Sequence, residues 1–229
     1  MTPIPFFAAL LFIAPLTALL FGFFFLLKRK PEWMHVPMIL SCAVVGVSAA
    51  AIAGQVYCGK IFDSSPIHWM SLGGWSVSFG LRLDGLSAVV LSLVAFVGGL
   101  IHIYASGYMK DDPSFGRFFL SFHLFYLSMI GLVVSNNYVQ MYLFWEMVGL
   151  SSYLLIGFWY QKSSARKASL QAFFTNRVGD IGFFLALLIL MNAFQGPALF
   201  FSKTNQKKAI SLSTNRLIEF PTLPSKFLE

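Results

Sequence analysis

The sequence is poor in charge. Of its 229 residues only 11% are Asp, Glu, Lys or Arg, while 57% are hydrophobic. An ordinary soluble domain carries about 25% charged residues. Half of that cannot clothe a globular surface of this size, which excludes a freely soluble enzyme. Cysteine is equally scarce: Cys42 and Cys58 form neither a disulfide framework nor a metal-ligand pattern, and both read as packed or lipid-facing thiols. The chain has no glycine-rich phosphate loop, because Gly22, Gly98, Gly99, Gly149 and Gly157 all fall in apolar runs where helix packing accounts for them. It also lacks nucleotide, flavin, haem and iron–sulfur motifs, so any redox chemistry it serves belongs elsewhere. Aromatic residues are abundant. With 26 Phe the chain is no disordered polymer, since such polymers are poor in aromatics. What remains is an all-α, polytopic transmembrane bundle.

A helix crossing the hydrocarbon core needs about 20 apolar residues. Six stretches qualify, at about 6–27, 36–57, 85–104, 115–134, 138–160 and 168–194. The first is too long for a signal peptide and follows no basic residue, so it is expected to stay as an anchor. Lys28, Arg29, Lys30, Lys110, Arg117, Lys162, Arg166 and Lys167 all fall on one side of the alternating spans. The opposite loops carry only Lys60 and Arg82 up to the fourth span. The positive-inside rule therefore sets the amino terminus outside. The net charge of +7 is explained by cationic loops against an anionic leaflet and calls for no nucleic acid. Residues 58–83 form the longest connection, an external hairpin or irregular loop near the interface, with Trp69 and Trp75 at its flanks.

Three ionisable residues interrupt the apolar spans: Glu146, Arg177 and Asp180. Each costs at least ~2.5 kcal/mol at the bilayer centre, so such a residue is a functional candidate from the outset. Arg177 and Asp180 are three apart and share a helix face. At ~1.5 Å per residue, Glu146 sits about 21 Å from the inner end of its span, Asp180 about 20 Å and Arg177 about 15 Å. Two carboxylates on adjacent antiparallel helices thus reach similar depth with a guanidinium between or just below them. Gly149, Ser151, Ser152, Gly179 and Gly182 would let these helices approach closely. Two readings stand for the group, a proton or ion path and a static ion pair pinning two helices. His123 lies about 12 Å in from the inner end of the fourth span, as a proton relay or as a core histidine held by a carbonyl. His102 reads as an interfacial residue near the inner end of the third span, and His35 and His68 as loop residues. No metal-ligand spacing occurs among the histidines, and Asn136-Asn137 reads as a simple outer turn.

Four ordered motifs resemble one family. Leu83-Asp-Gly-Leu-Ser87, Ile101-His-Ile-Tyr-Ala-Ser-Gly-Tyr-Met109, the stretch from Met141 to Tyr160 around Trp145-Glu146, and Ala172-Phe-Phe-Thr-Asn-Arg-Val-Gly-Asp-Ile-Gly182 are similar to the amino-terminal part of the antiporter-like subunit L (subunit 5) of proton-pumping NADH–quinone oxidoreductase, respiratory complex I. Sister families in multisubunit sodium/proton antiporters and membrane hydrogenases share the same core. The resemblance covers about residues 1–194. It implies that Glu146 is the intramembrane glutamate of the fifth helix, which in the family pairs with a lysine on the seventh. It further implies that Arg177 and Asp180 are the charged pair of the sixth helix, and that quinone reduction in another subunit drives charge movement through such sites. Flavin, iron–sulfur and quinone sites are then expected in other subunits, and none in this chain. The implied partners are the other membrane-arm subunits and the lipid of a bacterial inner membrane or an energy-converting organelle membrane.

The family's subunit runs to about fourteen or more helices, whereas six are recognisable here. A second polypeptide would have to supply the seventh-helix lysine and the second inverted repeat. Residues 195–229 read as a polar, basic tail unlike the family, from a shifted frame or a split gene. The chain alone is therefore expected to show no turnover. The competing expectations are a truncated or split structural or assembly fragment and a subunit of a sodium/proton antiporter.

Overall fold

The computed structural model describes residues 4–28, 33–64, 67–72 and 75–193. The tail at 195–229, Arg29, Lys30 and the Gly73-Gly74 pair lie outside the described residues. Six helices follow in order: α1 (Ile4–Leu27), α2 (His35–Tyr57), α3 (Gly85–Tyr108), α4 (Phe115–Val134), α5 (Tyr138–Ile156) and α6 (Ser163–Ala193). Every one is long and apolar enough to cross a membrane. The protein is thus an integral, multi-pass membrane protein of all-α architecture.

Three helix ends differ from the hydropathy reading, each for a local reason. α3 runs on to Tyr108, past Gly107, since no proline stands between residues 104 and 108 and a single glycine weakens a helix without ending it. α5 stops at Ile156 rather than near 160. Arg117, at the start of α4, donates from Nη2 to the Phe158 carbonyl at 2.8 Å, and its guanidinium lies 4.8 Å from the Tyr160 ring centroid. The Gly157 and Phe158 N–H groups close the last turn onto Tyr153 and Leu155, and Arg117 ties down the chain just beyond it. α6 begins at Ser163, five residues early, because Ser163–Lys167 are helix-compatible yet too polar for a hydropathy window.

The first four helices pack around two apolar clusters. One is built from residues such as Leu11, Val45, Leu91 and Ile130, the other from Met38, Phe115, Phe119 and Phe158. α5 lies against α4, and α6 lies chiefly against α5. Pro15 is accepted inside α1, where it removes one backbone donor.

The connection between α2 and α3 is a hairpin, deciding between the two sequence readings. β2 (Ile67–Leu72) and β3 (Trp75–Phe79) pair antiparallel, and β1 (Phe62–Asp63) pairs with β4 (Arg82–Leu83) at the hairpin's base. The α4–α5 turn seals it from below. Asn137 donates to the Ser78 carbonyl at 2.8 Å, the Gly80 N–H donates to Gln140 Oε1 at 3.0 Å, and Leu81 bridges to Ser135. Asn137 also caps α5, accepting from the Gln140 N–H at 2.8 Å. The Asn136-Asn137 pair is therefore a buried joint rather than a simple turn. Gly80 is needed there, because any side chain would collide with the Asn136 amide.

Candidate functional site

Glu146 sits near the middle of α5 and Arg177 and Asp180 near the middle of α6. The two helices cross so that the Arg177 guanidinium forms an ion pair with the Glu146 carboxylate, while Nη1 stays 3.8 Å from Asp180 Oδ2. The expected arrangement is thus present, two acids with the guanidinium between them, with Glu146 as the closer partner. Asp180 has a second anchor that sequence reasoning missed: Trp145 donates from Nε1 to Asp180 Oδ1 at 2.9 Å. The signal available was the position of Trp145, beside Glu146 on the helix.

The guanidinium also lies 4.8 Å from the Phe173 ring centroid, a favourable cation–π placement. Gly149, Gly179 and Gly182 meet nothing within 4 Å of where a side chain would begin, so the expectation that small residues draw these helices together there is overturned. The helices are held apart by aromatics instead, Tyr142 against Phe183 and Phe184 and Tyr153 against Phe173. Burial across the charged group is uneven. The Asp180 side chain is 10% exposed and Glu146 18%, but Arg177 keeps 37%. At membrane depth a cation costs several kcal/mol against lipid, and intramembrane charges ordinarily face protein or water.

A second polar group lies among α1–α4. His102 is fully buried, not interfacial, because its place on the face of α3 directs the side chain into the bundle, toward His123 on α4. Its Nδ1 donates to the Gly98 carbonyl at 2.7 Å, and its Nε2 lies 3.1 Å from His123 Nδ1. His123, also fully buried, places Nε2 3.2 Å from Ser41 Oγ on α2, and the Pro15 carbonyl is a further acceptor for the ring. His123 therefore bonds toward α1, α2 and α3. Cys42 completes the cluster. Its Sγ and one nitrogen of each histidine lie within 4.8 Å of one another. The absence of metal-ligand spacing in the sequence thus coexists with a three-residue cluster assembled from separate helices.

At the outer end of α3, Asp84 caps the helix. Its carboxylate accepts from the Ser87 N–H at 3.0 Å while Ser87 Oγ contacts the Asp84 N–H at 2.7 Å, a reciprocal capping box. The Ser87 N–H, with Arg82 at 3.3 Å, holds the Asp84 carboxyl below its usual range. The Leu83-Asp-Gly-Leu-Ser87 motif is in physical terms a helix start.

Two family models match the chain. Residues 69–119 match the amino terminus of chain 5 of NADH-ubiquinone oxidoreductase (complex I). Residues 135–222 match the transmembrane family of NADH:quinone oxidoreductase and Mrp antiporters. The chain belongs to these antiporter-like subunits. NADH-quinone oxidoreductase subunit L of Mycobacterium tuberculosis is 43% identical over 174 residues, 73% of this chain and 27% of that protein. Subunit L of Escherichia coli is 43% identical over 179 residues, 76% of this chain and 29% of its own length. The chain therefore spans little more than a quarter of the curated relatives it matches. Among solved structures, the archaeal membrane-bound sulfane sulfur reductase superposes with a TM-score of 0.68 at 20% identity, covering 81% of this chain and 37% of its own. The Mrp complex of a Dietzia species gives 0.62 at 20% identity, covering 83% of this chain and 19% of its own. At that identity the likeness is one of fold.

Proposed function

We propose that this chain is the amino-terminal part of a membrane-arm subunit of an NADH–quinone oxidoreductase and takes part in proton translocation. Glu146 would be the site that gains and loses the proton, and Arg177 and Asp180 the charges that set its affinity. The observation carrying this reading is the asymmetric triad. Arg177 bonds Glu146 and stands 3.8 Å from Asp180, so a small swing of one guanidinium transfers its charge between two acids. An acid that loses its cation in a medium of low dielectric takes up a proton, and one that gains it releases the proton. Flavin, iron–sulfur clusters and quinone belong on this reading to other subunits, and the chain alone would not turn over.

The exposed side of α5 and α6 supports a covered setting. Further helices, of the same polypeptide or of a partner subunit, would shield Arg177 from lipid and supply the opposing base. A sodium/proton antiporter subunit is the second reading, favoured by the Mrp part of the 135–222 match. The test is Glu146→Gln in the assembled, membrane-bound complex. Expected is normal assembly with NADH-driven proton uptake per electron clearly reduced. An unchanged proton-to-electron ratio would remove Glu146 from the path. Sodium-dependent proton exchange without any NADH-oxidising partner would favour the antiporter.

A further inference from the structure

We propose that Cys42, His102 and His123 form a buried three-coordinate site for a soft, thiolate-binding transition-metal cation, cuprous ion by preference. Three helices contribute one ligand each, α2, α3 and α4, and the three donor atoms lie within 4.8 Å of one another. With metal–donor bonds of about 2.0 Å to nitrogen and 2.3 Å to sulfur, a small contraction of the cluster brings all three onto one ion.

Hydrogen-bond bookkeeping supports an ion there. His102 Nδ1 faces the Gly98 carbonyl at 2.7 Å, and a carbonyl can only accept. Nδ1 therefore carries the hydrogen, and Nε2 of the neutral ring presents a lone pair inward. On the far side, the Ser41 hydroxyl donates to the Met38 carbonyl at 2.8 Å. With that orientation its oxygen accepts from His123 Nε2 at 3.2 Å, which leaves His123 Nδ1 as a lone pair too; a hydroxyl turned instead to donate to Nε2 sets the other tautomer, with the hydrogen on Nδ1. In the first tautomer two lone pairs face each other at 3.1 Å, a contact that an ion between them satisfies; in the second the two rings share an ordinary N–H···N hydrogen bond. Ligating histidines are commonly held in this way, the outer nitrogen donating to a backbone carbonyl or hydroxyl and the inner one free for the metal. The third neighbour is a thiol rather than a carboxylate, with the Tyr126 hydroxyl beside it. Thiolate and imidazole together select copper and zinc over magnesium or calcium.

Charge decides between those two. No carboxylate is part of the cluster. A cuprous ion with one thiolate and two neutral imidazoles is electrically neutral, whereas zinc would leave a net positive charge among apolar helices, at a desolvation cost. Burial of all three ligands means that the ion enters as the bundle assembles.

The full 229-residue chain, carrying Cys58→Ser so that Cys42 is its one thiol, is expressed in cells given added copper and, separately, added zinc. It is then purified in detergent under anaerobic, reducing conditions. Expected is close to one copper per chain, retained through desalting. X-ray absorption should report one sulfur and two nitrogens around it. Cys42→Ser and His123→Asn should lose nearly all of the copper with unchanged helical content. Copper contents near zero in the parent chain would overturn the site, leaving a shared proton between the imidazoles. Copper undiminished in Cys42→Ser would overturn the ligand assignment, and preferential retention of zinc would overturn the cuprous choice. Because the spectroscopic ligand count is read on the parent chain, misfolding of a variant does not decide the outcome.

Discussion

In the α1–α4 region, His102 and His123 are fully buried and tied to a carbonyl, a hydroxyl and each other. In the α5–α6 region, a glutamate, an arginine and an aspartate sit at comparable depth, and the arginine side chain is 37% exposed. The apolar window of α4 is half buried, while those of α5 and α6 are 11% buried. The first region encloses its two histidines and brings their contacts from within the bundle. The second presents its charges at the edge, where protein or water must complete their surroundings. One chain thus contains an enclosed polar cluster and a charged group at its edge.

The largest effect should come from separating the charged pair. Removing one member of a buried ion pair costs about 3–5 kcal/mol, because the other is left unpaired. In an assembled complex that covers this face, Arg177→Leu should sharply lower the thermal stability of the membrane arm. Adding Glu146→Leu should recover most of the loss. Strictly additive losses would show that the two residues do not act as a pair, and the contrast between the regions would lose its sharper half.

The enclosed region should respond differently. His102→Leu removes the donor to Gly98 and the contact to His123, and leaves a buried imidazole nitrogen without its neighbour. At about 1–3 kcal/mol for a buried polar atom left unsatisfied, the full chain in detergent should unfold several degrees earlier. No second-site change on α5 or α6 should restore it. Rescue by a charge substitution on α6 would mean that the regions are coupled rather than separate.

Much of this arrangement is legible in the sequence, and the illegible part has a common cause. Spans can be read from hydropathy because membrane insertion depends on local composition. Glu146, Arg177 and Asp180 stand out because a charge in an apolar run is rare. Depth along a helix does not specify the direction in which a side chain points, and that is how His102 reads as interfacial while being fully buried. The Cys42–His102–His123 cluster and the Trp145–Asp180 bond join residues from different helices, so no spacing rule could find them. The Asn136-Asn137 pair shows the same limit, since its partners Ser78 and Gly80 lie in a distant hairpin.

Between the regions, the outer joint should give a smaller effect. Asn137→Ala removes the α5 cap and the bond to the Ser78 carbonyl. Loss of a cap costs typically about 1 kcal/mol, and the carbonyl left behind adds a comparable amount. Amide exchange in the β2–β3 hairpin should accelerate while exchange in α1 stays unchanged. Equal acceleration in both would make the joint a global stabiliser rather than a hinge between regions.

The smallest effect is the one at Asp84, and it has a sign that can be worked out. The Ser87 N–H and, to a lesser extent, Arg82 favour the ionised carboxylate, so its folded value lies below the usual aspartate range. A depressed acid contributes stability that is fully present above the unfolded value of about 3.9 and fades as pH falls through the folded one. Asp84→Ala should therefore cost about 1 kcal/mol near neutral pH, and the gap to the parent should narrow below about pH 4. Asp84→Asn keeps a capping oxygen without the charge, so its smaller deficit should shrink with acid in the same way. A deficit of Asp84→Ala that grows on acidification would mean that the protonated acid is the stabilising form, and the capping geometry would then not be what holds the start of α3.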